Sequence, residues 1–195
     1  MRKGLRLFAW YRVVPIALMF AVGAVSFVYS YAPAPLFGLL YPLDYEDYIT
    51  DSSERHTVDP FLVAAVIETE SNWSAQAVSS KEAQGLMQLL PETAEDMVKM
   101  GLVDGARFDP DELDDPRTNI EFGCAYLSYL IDYFNGSTDR AIAAYNAGLS
   151  NVNDWASADT VLHNAITFPE TQAYLVRVNN AWARYKELYS DAFLE

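Results

Sequence analysis

Between Arg12 and Asp44 the chain carries no charged residue, and this gap divides it into three unlike parts. Arg2, Lys3, Arg6 and Arg12 precede it. All 27 acidic residues and the other nine basic ones follow it, giving residues 44–195 a net charge of -18. The densest apolar part of the gap is VVPIALMFAVGAVSFVYSY, residues 13–31. As a helix, nineteen residues would reach about 28 Å, close to the hydrocarbon thickness of a bilayer. Trp10 and Tyr11 stand at one end and Tyr29 and Tyr31 at the other, where interfacial aromatics belong. We therefore expect a basic cytoplasmic tip (1–12), one N-terminal transmembrane helix (13–31) and a connector (32–43) opened by two Ala-Pro pairs. An extracytoplasmic globule (44–195) follows. A cleaved signal peptide is the rival reading, although Pro33 and Pro35 interrupt the small residues a cleavage site needs.

The globule reads as helical. Strand-like alternation is scarce, and helix punctuation recurs. A first helix fits Tyr45–Thr57. Asp59-Pro60 is an N-cap followed by a first-turn proline, opening a helix to Glu70. Pro91 opens a helix through Met100, stopped by Gly101. Asp115-Pro116 starts a long helix to about Phe134. Thr138 or Asp139 caps one through Ala147, ended by Gly148, and Val152–Ala156 suits a short turn of helix. Pro169 begins the last, running to about Tyr189. This is an all-α globule of six or seven helices.

The charge balance excludes nucleic acid as a partner, since phosphate binding needs a basic face. A lone cysteine, Cys124, excludes an internal disulfide and a cysteine-based zinc cluster, and we read it as a small buried apolar residue. Two histidines leave little for a metal site or a histidine base; His163 reads as a surface or packing residue. The acid-rich run 109–115 lacks the alternation and glycine of a calcium loop and reads as a solvated loop with an N-cap. The available chemistry is that of carboxyls and hydroxyls.

On the helix from Pro60, with Leu62 at zero and about 100° per residue, Val66, Val63 and Ile67 span roughly 40° to 140°. Glu70 falls inside that apolar arc, at about 80°. Glu68 falls at about 240°, on the side expected to face water. A carboxyl held against apolar side chains resists ionisation, and a glutamic acid still protonated near neutral pH is what a general acid needs. The alternative is that Glu70 ends the helix and swings out to solvent.

The following residues read Glu70-Ser71-Asn72-Trp73, then Ser79, then Gly85-Leu86-Met87-Gln88, then Pro91-Glu92-Thr93-Ala94. Further on stand Ala144-Tyr145-Asn146-Ala147-Gly148 and Phe168-Pro169-Glu170-Thr171-Gln172-Ala173-Tyr174. In order and spacing these blocks resemble the soluble, goose-lysozyme-like lytic transglycosylases, over roughly residues 44–190. The resemblance implies a lysozyme-like helical domain acting on the glycan strands of peptidoglycan. It would cleave the bond between N-acetylmuramic acid and N-acetylglucosamine and form 1,6-anhydro ends. It implies Glu70 as the single catalytic acid, with Ser79, Gln88, Tyr145, Asn146 and Glu170 on the substrate, and neither cofactor nor metal. A hydrolytic muramidase and a non-catalytic wall-binding module are the competing functions. The sequence names no protein partner.

The residues also carry structural readings. Gly85 lets the backbone pass close to a sugar or another helix. Tyr145 can be core packing, Asn146 a helix-end signal, and Glu170 a favourable charge at a helix start. Glu82 departs from the family, where glycine is common: either the position needs a positive φ and strains the glutamate, or the loop runs differently. The Ser-Ser-Lys-Glu run favours the second.

Overall fold

The computed structural model describes residues 10–31, 38, 40–156 and 162–193. The chain divides into two units, residues 1–42 and 43–195. The expected basic tip and most of the connector lie outside the described residues.

In the first unit, α1 spans Trp10–Tyr31, covering the expected apolar span. Pro15 falls in its second turn, so a helix hydrogen bond is forgone there. The described side chains, at residues 13–27, are all exposed, among them Leu18, Met19, Phe20 and Phe27. Among the described residues no helix is long and apolar enough to cross a membrane.

The second unit is built of α2 (Glu46–His56), α3 (Pro60–Ser71), α4 (Pro91–Lys99), α5 (Pro116–Tyr133), α6 (Thr138–Ala147), α7 (Leu149–Ala156), α8 (Leu162–Ala165) and α9 (Pro169–Leu188). Two isolated bridges, Val78 with Gln84 and Gln84 with Leu89, are the only β pairing among the described residues. Two of the expected caps act as the sequence implies, whereas Thr138 and Asp139 lie inside α6, whose N-cap is Ser137 without a side-chain cap bond. The Asp59 carboxylate accepts from Phe61 N at 2.9 Å, and Asp115 from Thr118 N at 2.9 Å, each before a first-turn proline. α4 stops against Gly101 at φ +73°, and α6 against Gly148 at φ +85°. α7 begins three residues before the expected turn at Val152, directly after Gly148, and α8 has no counterpart among the expected helices. His163, expected to be a surface or packing residue, has a side chain outside the described ones.

The centre of the unit is α3. Leu62, Val63, Ala64, Ala65, Val66 and Ile67 are six consecutive residues with almost no exposure. A helix apolar on every side is enclosed on every side, so the amphipathic reading of α3 is corrected. α9 packs along it, α2 and α6 both pack on α5, and α6 also meets α9. Cys124 is buried on α5, as expected, and burial pushes its thiol up. Glu82 adopts φ +65°: the strained alternative is the one realised, and the glutamate sits where glycine has no Cβ penalty.

Candidate active site

Glu70 lies in the last turn of α3, where the enclosed apolar stretch gives way to Ser71 and a left-handed Asn72 at φ +50°. From α9, Tyr174 turns its hydroxyl to Glu70 and donates to Oε1 at 2.7 Å. Tyr174 is itself 2% exposed. Burial raises the Glu70 carboxyl to about 7, against the opposing pull of the Tyr174 hydrogen bond and the Arg177 charge. The side chain does not swing out to water. It is a carboxylic acid that holds its proton near neutral pH, as general acid catalysis needs.

Glu68 corrects the sequence reading. It does not face water; it pairs with Arg184 of α9 and accepts from the Tyr185 hydroxyl, which in turn accepts from Trp73 Nε1 at 3.0 Å. Because α3 is enclosed, both of its glutamates meet α9. One meets a cation and is paired, the other meets a phenol.

The loop after α3 is clamped from α5. Asn119, fully buried, accepts from Met87 N at 2.7 Å and donates to Gln84 O at 2.9 Å and Leu113 O at 2.8 Å. Its amide thereby uses both hydrogens and its oxygen. Gly85, at φ +75°, is where the loop meets this side chain; a Cβ there would stand 2.2 Å from Asn119 Nδ2. Of the two readings of Gly85, close approach to a helix is the one seen. Gly123 does the same for Met87, whose sulfur would lie 2.1 Å from an added Cβ. The Met87 carbonyl then accepts from the Tyr145 hydroxyl at 2.9 Å, which ties α6 to the loop.

Each expected substrate residue can now be placed. Tyr145 is held by Met87 and packs on Tyr126, ring centroids 5.3 Å apart; burial and the Glu70 charge push its phenol well up. Asn146 accepts from Thr171 Oγ1 at 2.8 Å, joining α6 to the start of α9. The Gln88 amide nitrogen donates to Ala77 O at 3.0 Å and Gly85 O at 2.9 Å, leaving its oxygen as the group able to face a ligand. Ser79 Oγ accepts from Lys81 N at 3.2 Å and Ala83 N at 3.0 Å, and so shapes its own loop. Glu170 is exposed in the first turn of α9. The geometry joins Glu70 to α9 directly, and Tyr145 and Asn146 to the loop and to α9. Ser79 and Glu170 remain tied to their own segments.

Two features were missed in the sequence. Tyr174 was present in the last block, but only as a following tyrosine; its place four residues past Glu170, on the same helix face, was the available signal. The second is a buried cluster around Glu121 on α5, which is 2% exposed. Ser52 Oγ donates to it at 2.6 Å, Arg55 Nε at 2.9 Å, and His56 Nε2 stands 3.0 Å away. Burial alone would raise this carboxyl, but those partners outweigh it and hold it at about 2. Among the described residues no group of three or more His, Cys, Asp or Glu is placed to hold a metal ion.

Comparison with known proteins gives the family and the fold. The family described as "Transglycosylase SLT domain" matches residues 47–166. A soluble lytic murein transglycosylase of Salmonella typhimurium is 35% identical over 144 residues, covering 71% of this chain and 22% of the relative. A membrane-bound lytic murein transglycosylase C of Edwardsiella ictaluri is 32% identical over 168 residues, covering 74% of this chain and 47% of the relative. Among solved structures, the lytic transglycosylase Slt of Pseudomonas aeruginosa superposes with a TM-score of 0.72 at 27% identity, over 81% of this chain and 26% of that one. The 70 kDa soluble lytic transglycosylase of Escherichia coli gives 0.69 at 31% identity, over 78% and 26%. The chain thus spans between about a fifth and a half of the length of these relatives. Its globule has the mostly helical, lysozyme-like fold of these structures, and the chain belongs to the SLT transglycosylase domain family.

Proposed function

We propose that this chain is a peptidoglycan lytic transglycosylase. It cleaves the β-1,4 bond between N-acetylmuramic acid and N-acetylglucosamine and leaves 1,6-anhydromuramic ends. The observation that carries this is Glu70, a single carboxyl raised to about 7 by burial and oriented by Tyr174. Protonated, it donates to the glycosidic oxygen. The acetamido carbonyl of the muramic sugar stabilises the charge that develops at C1. The ionised Glu70 then takes the proton of the same sugar's C6 hydroxyl, whose oxygen closes on C1. One C–O bond breaks, one forms, and no water is consumed. Gln88, Tyr145, Asn146 and Glu170 orient the ring and its acetamido group. The free oxygen of Gln88 suits an acetamido N–H. Ser79 keeps the loop in shape and contacts the sugar at its edge. The groove must bind through these contacts, because a -18 globule does not attract anionic wall polymers.

Digestion of purified wall in ¹⁸O-enriched water tests the reaction. Unlabelled anhydro ends are expected, each 18 mass units lighter than a hydrolysed end. Labelled reducing ends as the main product would make the enzyme a muramidase, with Glu170 as the candidate to activate water.

We further infer that the N-terminal unit holds the enzyme at the membrane with the globule outside. The support is the uncharged span 13–31, the four preceding cations, the exposed apolar side chains of α1, and relatives named as membrane-bound. A reporter fused after Glu195 should be active outside the cytoplasm, with full-length mass in the membrane fraction. A soluble form starting near residues 33–36 would replace the anchor with a cleaved signal.

A further inference from the structure

Glu170, Tyr174 and Arg177 stand at i, i+4 and i+7 on α9, within about 60° of arc. Tyr174 fixes where that arc faces, because its hydroxyl reaches Glu70 at 2.7 Å. Along the axis, Glu170 lies about 6 Å before Tyr174 and Arg177 about 4.5 Å after it. Arg177 is exposed, and its guanidinium carbon is 5.9 Å from the Tyr174 ring centroid. Its positive charge is felt at Glu70.

What marks this cation is the carboxyl it acts on. Residues 44–195 hold nine basic residues against 27 acidic ones. Among the described residues Arg55, Lys99, Arg184 and Lys186 have a carboxylate partner, while Arg177, like Lys81, Arg107, Arg117 and Arg140, has none within ion-pair distance; Arg177 is the one of these five whose charge is felt at Glu70. A bare positive charge beside a general acid works against the protonated form that the acid must keep. The conflict disappears if an anion meets Arg177 when substrate is bound.

We infer that Arg177 receives a carboxylate of the peptide stem carried by the muramic sugar, which makes it a specificity-determining residue. The inference rests on the transglycosylase reading above. The stem leaves the muramic ring through its lactyl group, on the sugar whose C1 reacts, so its acidic groups arrive close to Glu70. The planar guanidinium, backed by the Tyr174 ring, offers paired donors that match a carboxylate. The arriving charge cancels the field of Arg177 at Glu70, so strands with charged stems meet an acid that better holds its proton.

The full-length chain in detergent is given two walls: native wall, and wall whose stem carboxylates have been amidated with methylamine. The wild type should show about fivefold higher kcat/KM on the native wall, the scale of one exposed ion pair, with most of the difference in KM. Arg177→Gln should cut both walls alike, and Arg177→Lys should keep part of the preference. Equal cutting of both walls by the wild type, or a full preference retained by Arg177→Gln, would overturn the inference. Should Arg177→Gln fail to fold, the wild-type ratio and Arg177→Lys decide. If the wild type cuts neither wall, the transglycosylase reading itself falls, and this inference with it.

Discussion

Glu70 on α3 and Glu121 on α5 are both carboxyls taken out of water, yet burial carries the first to about 7 while the second is held at about 2. Burial pushes both the same way. The difference lies in the donors. Glu70 receives one phenol and feels the Arg177 charge; Glu121 receives Ser52, Arg55 and His56 at hydrogen-bond distance. One donor leaves a carboxyl able to exchange a proton near neutral pH, and several donors lock it in the ionised form. The two regions therefore do different work. The first holds a carboxyl poised to exchange a proton near neutral pH, and the second fastens α2 to α5.

Their effects on stability oppose each other. Glu70 is raised in the folded state, so its burial cost is absent at low pH and appears as pH climbs from about 4.5 through 7. Glu121 is depressed, so its contribution is present above about 4.5 and is lost as pH falls towards 2. The largest effect expected is on catalysis. Glu70→Gln should lower turnover of wall glycan by roughly 10²-fold or more, the scale of a lost general acid, and keep the fold. It should also melt at higher temperature than the wild type above pH 7 and no higher at pH 4. Wall digestion and melting curves across pH check both; retained turnover would break the contrast with Glu121.

Glu121→Ala should do the reverse. Removing one member of a buried, paired cluster costs about 3 kcal/mol, because Ser52 and His56 lose their acceptor inside the fold. Urea titration should show that loss. Turnover per folded molecule should stay within about twofold, as the cluster does no chemistry. A large loss of turnover in the folded variant would mean that the fastening also sets the catalytic geometry.

What the sequence made legible follows the range of the physics. Asp59-Pro60 and Asp115-Pro116 marked helix starts because a cap bonds within three residues of itself. The blocks around Glu70, Gln88 and Tyr145 pointed to the family because resemblance needs only order and spacing. Glu68 was misplaced because angular position on a helix assumes one wet side, and α3 has none along its apolar stretch. The Glu121 cluster was invisible for a related reason. Ser52, Arg55 and His56 reach it across 65 to 69 residues, and no local pattern announces such a pairing. Asn119 was hidden in the same way, although its clamp on Met87 is what gives the Gly85–Gln88 block its shape. At Glu82 the residue type pointed away from the backbone it adopts, since a left-handed glutamate is set by the loop around it and not by its own preference.

Tyr174→Phe sharpens the comparison at the one-donor site. The variant keeps the ring and removes the hydroxyl that donates to Glu70. That bond lowers the Glu70 carboxyl, so without it the group should rise further above 7. The alkaline limb of the pH–activity profile should move to higher pH. Turnover at its best pH should fall about tenfold, the worth of one well-placed hydrogen bond to a reacting group. Arg177 also acts on this carboxyl and remains in place. An unmoved alkaline limb would show that Tyr174 does not set the protonation of Glu70.

Ser52→Ala applies the same operation where donors are many, and the effect should be the smallest of the four. The lost bond is short, 2.6 Å, and both groups are almost fully buried, so about 1 kcal/mol of stability should go with it. Glu121 keeps Arg55 on both oxygens, at 2.9 and 3.1 Å, and His56 at 3.0 Å, so it stays ionised at neutral pH. Its carboxyl should rise from about 2 part of the way towards its ordinary value. Acid unfolding should then begin at higher pH than in the wild type, since the stabilisation held by the depressed group is lost earlier as pH falls. The alkaline limb of activity should not move, because nothing on α2 donates to Glu70. If that limb shifts with Ser52→Ala, the two carboxyls share one network, and the fastening of α2 to α5 helps to set the proton affinity of Glu70.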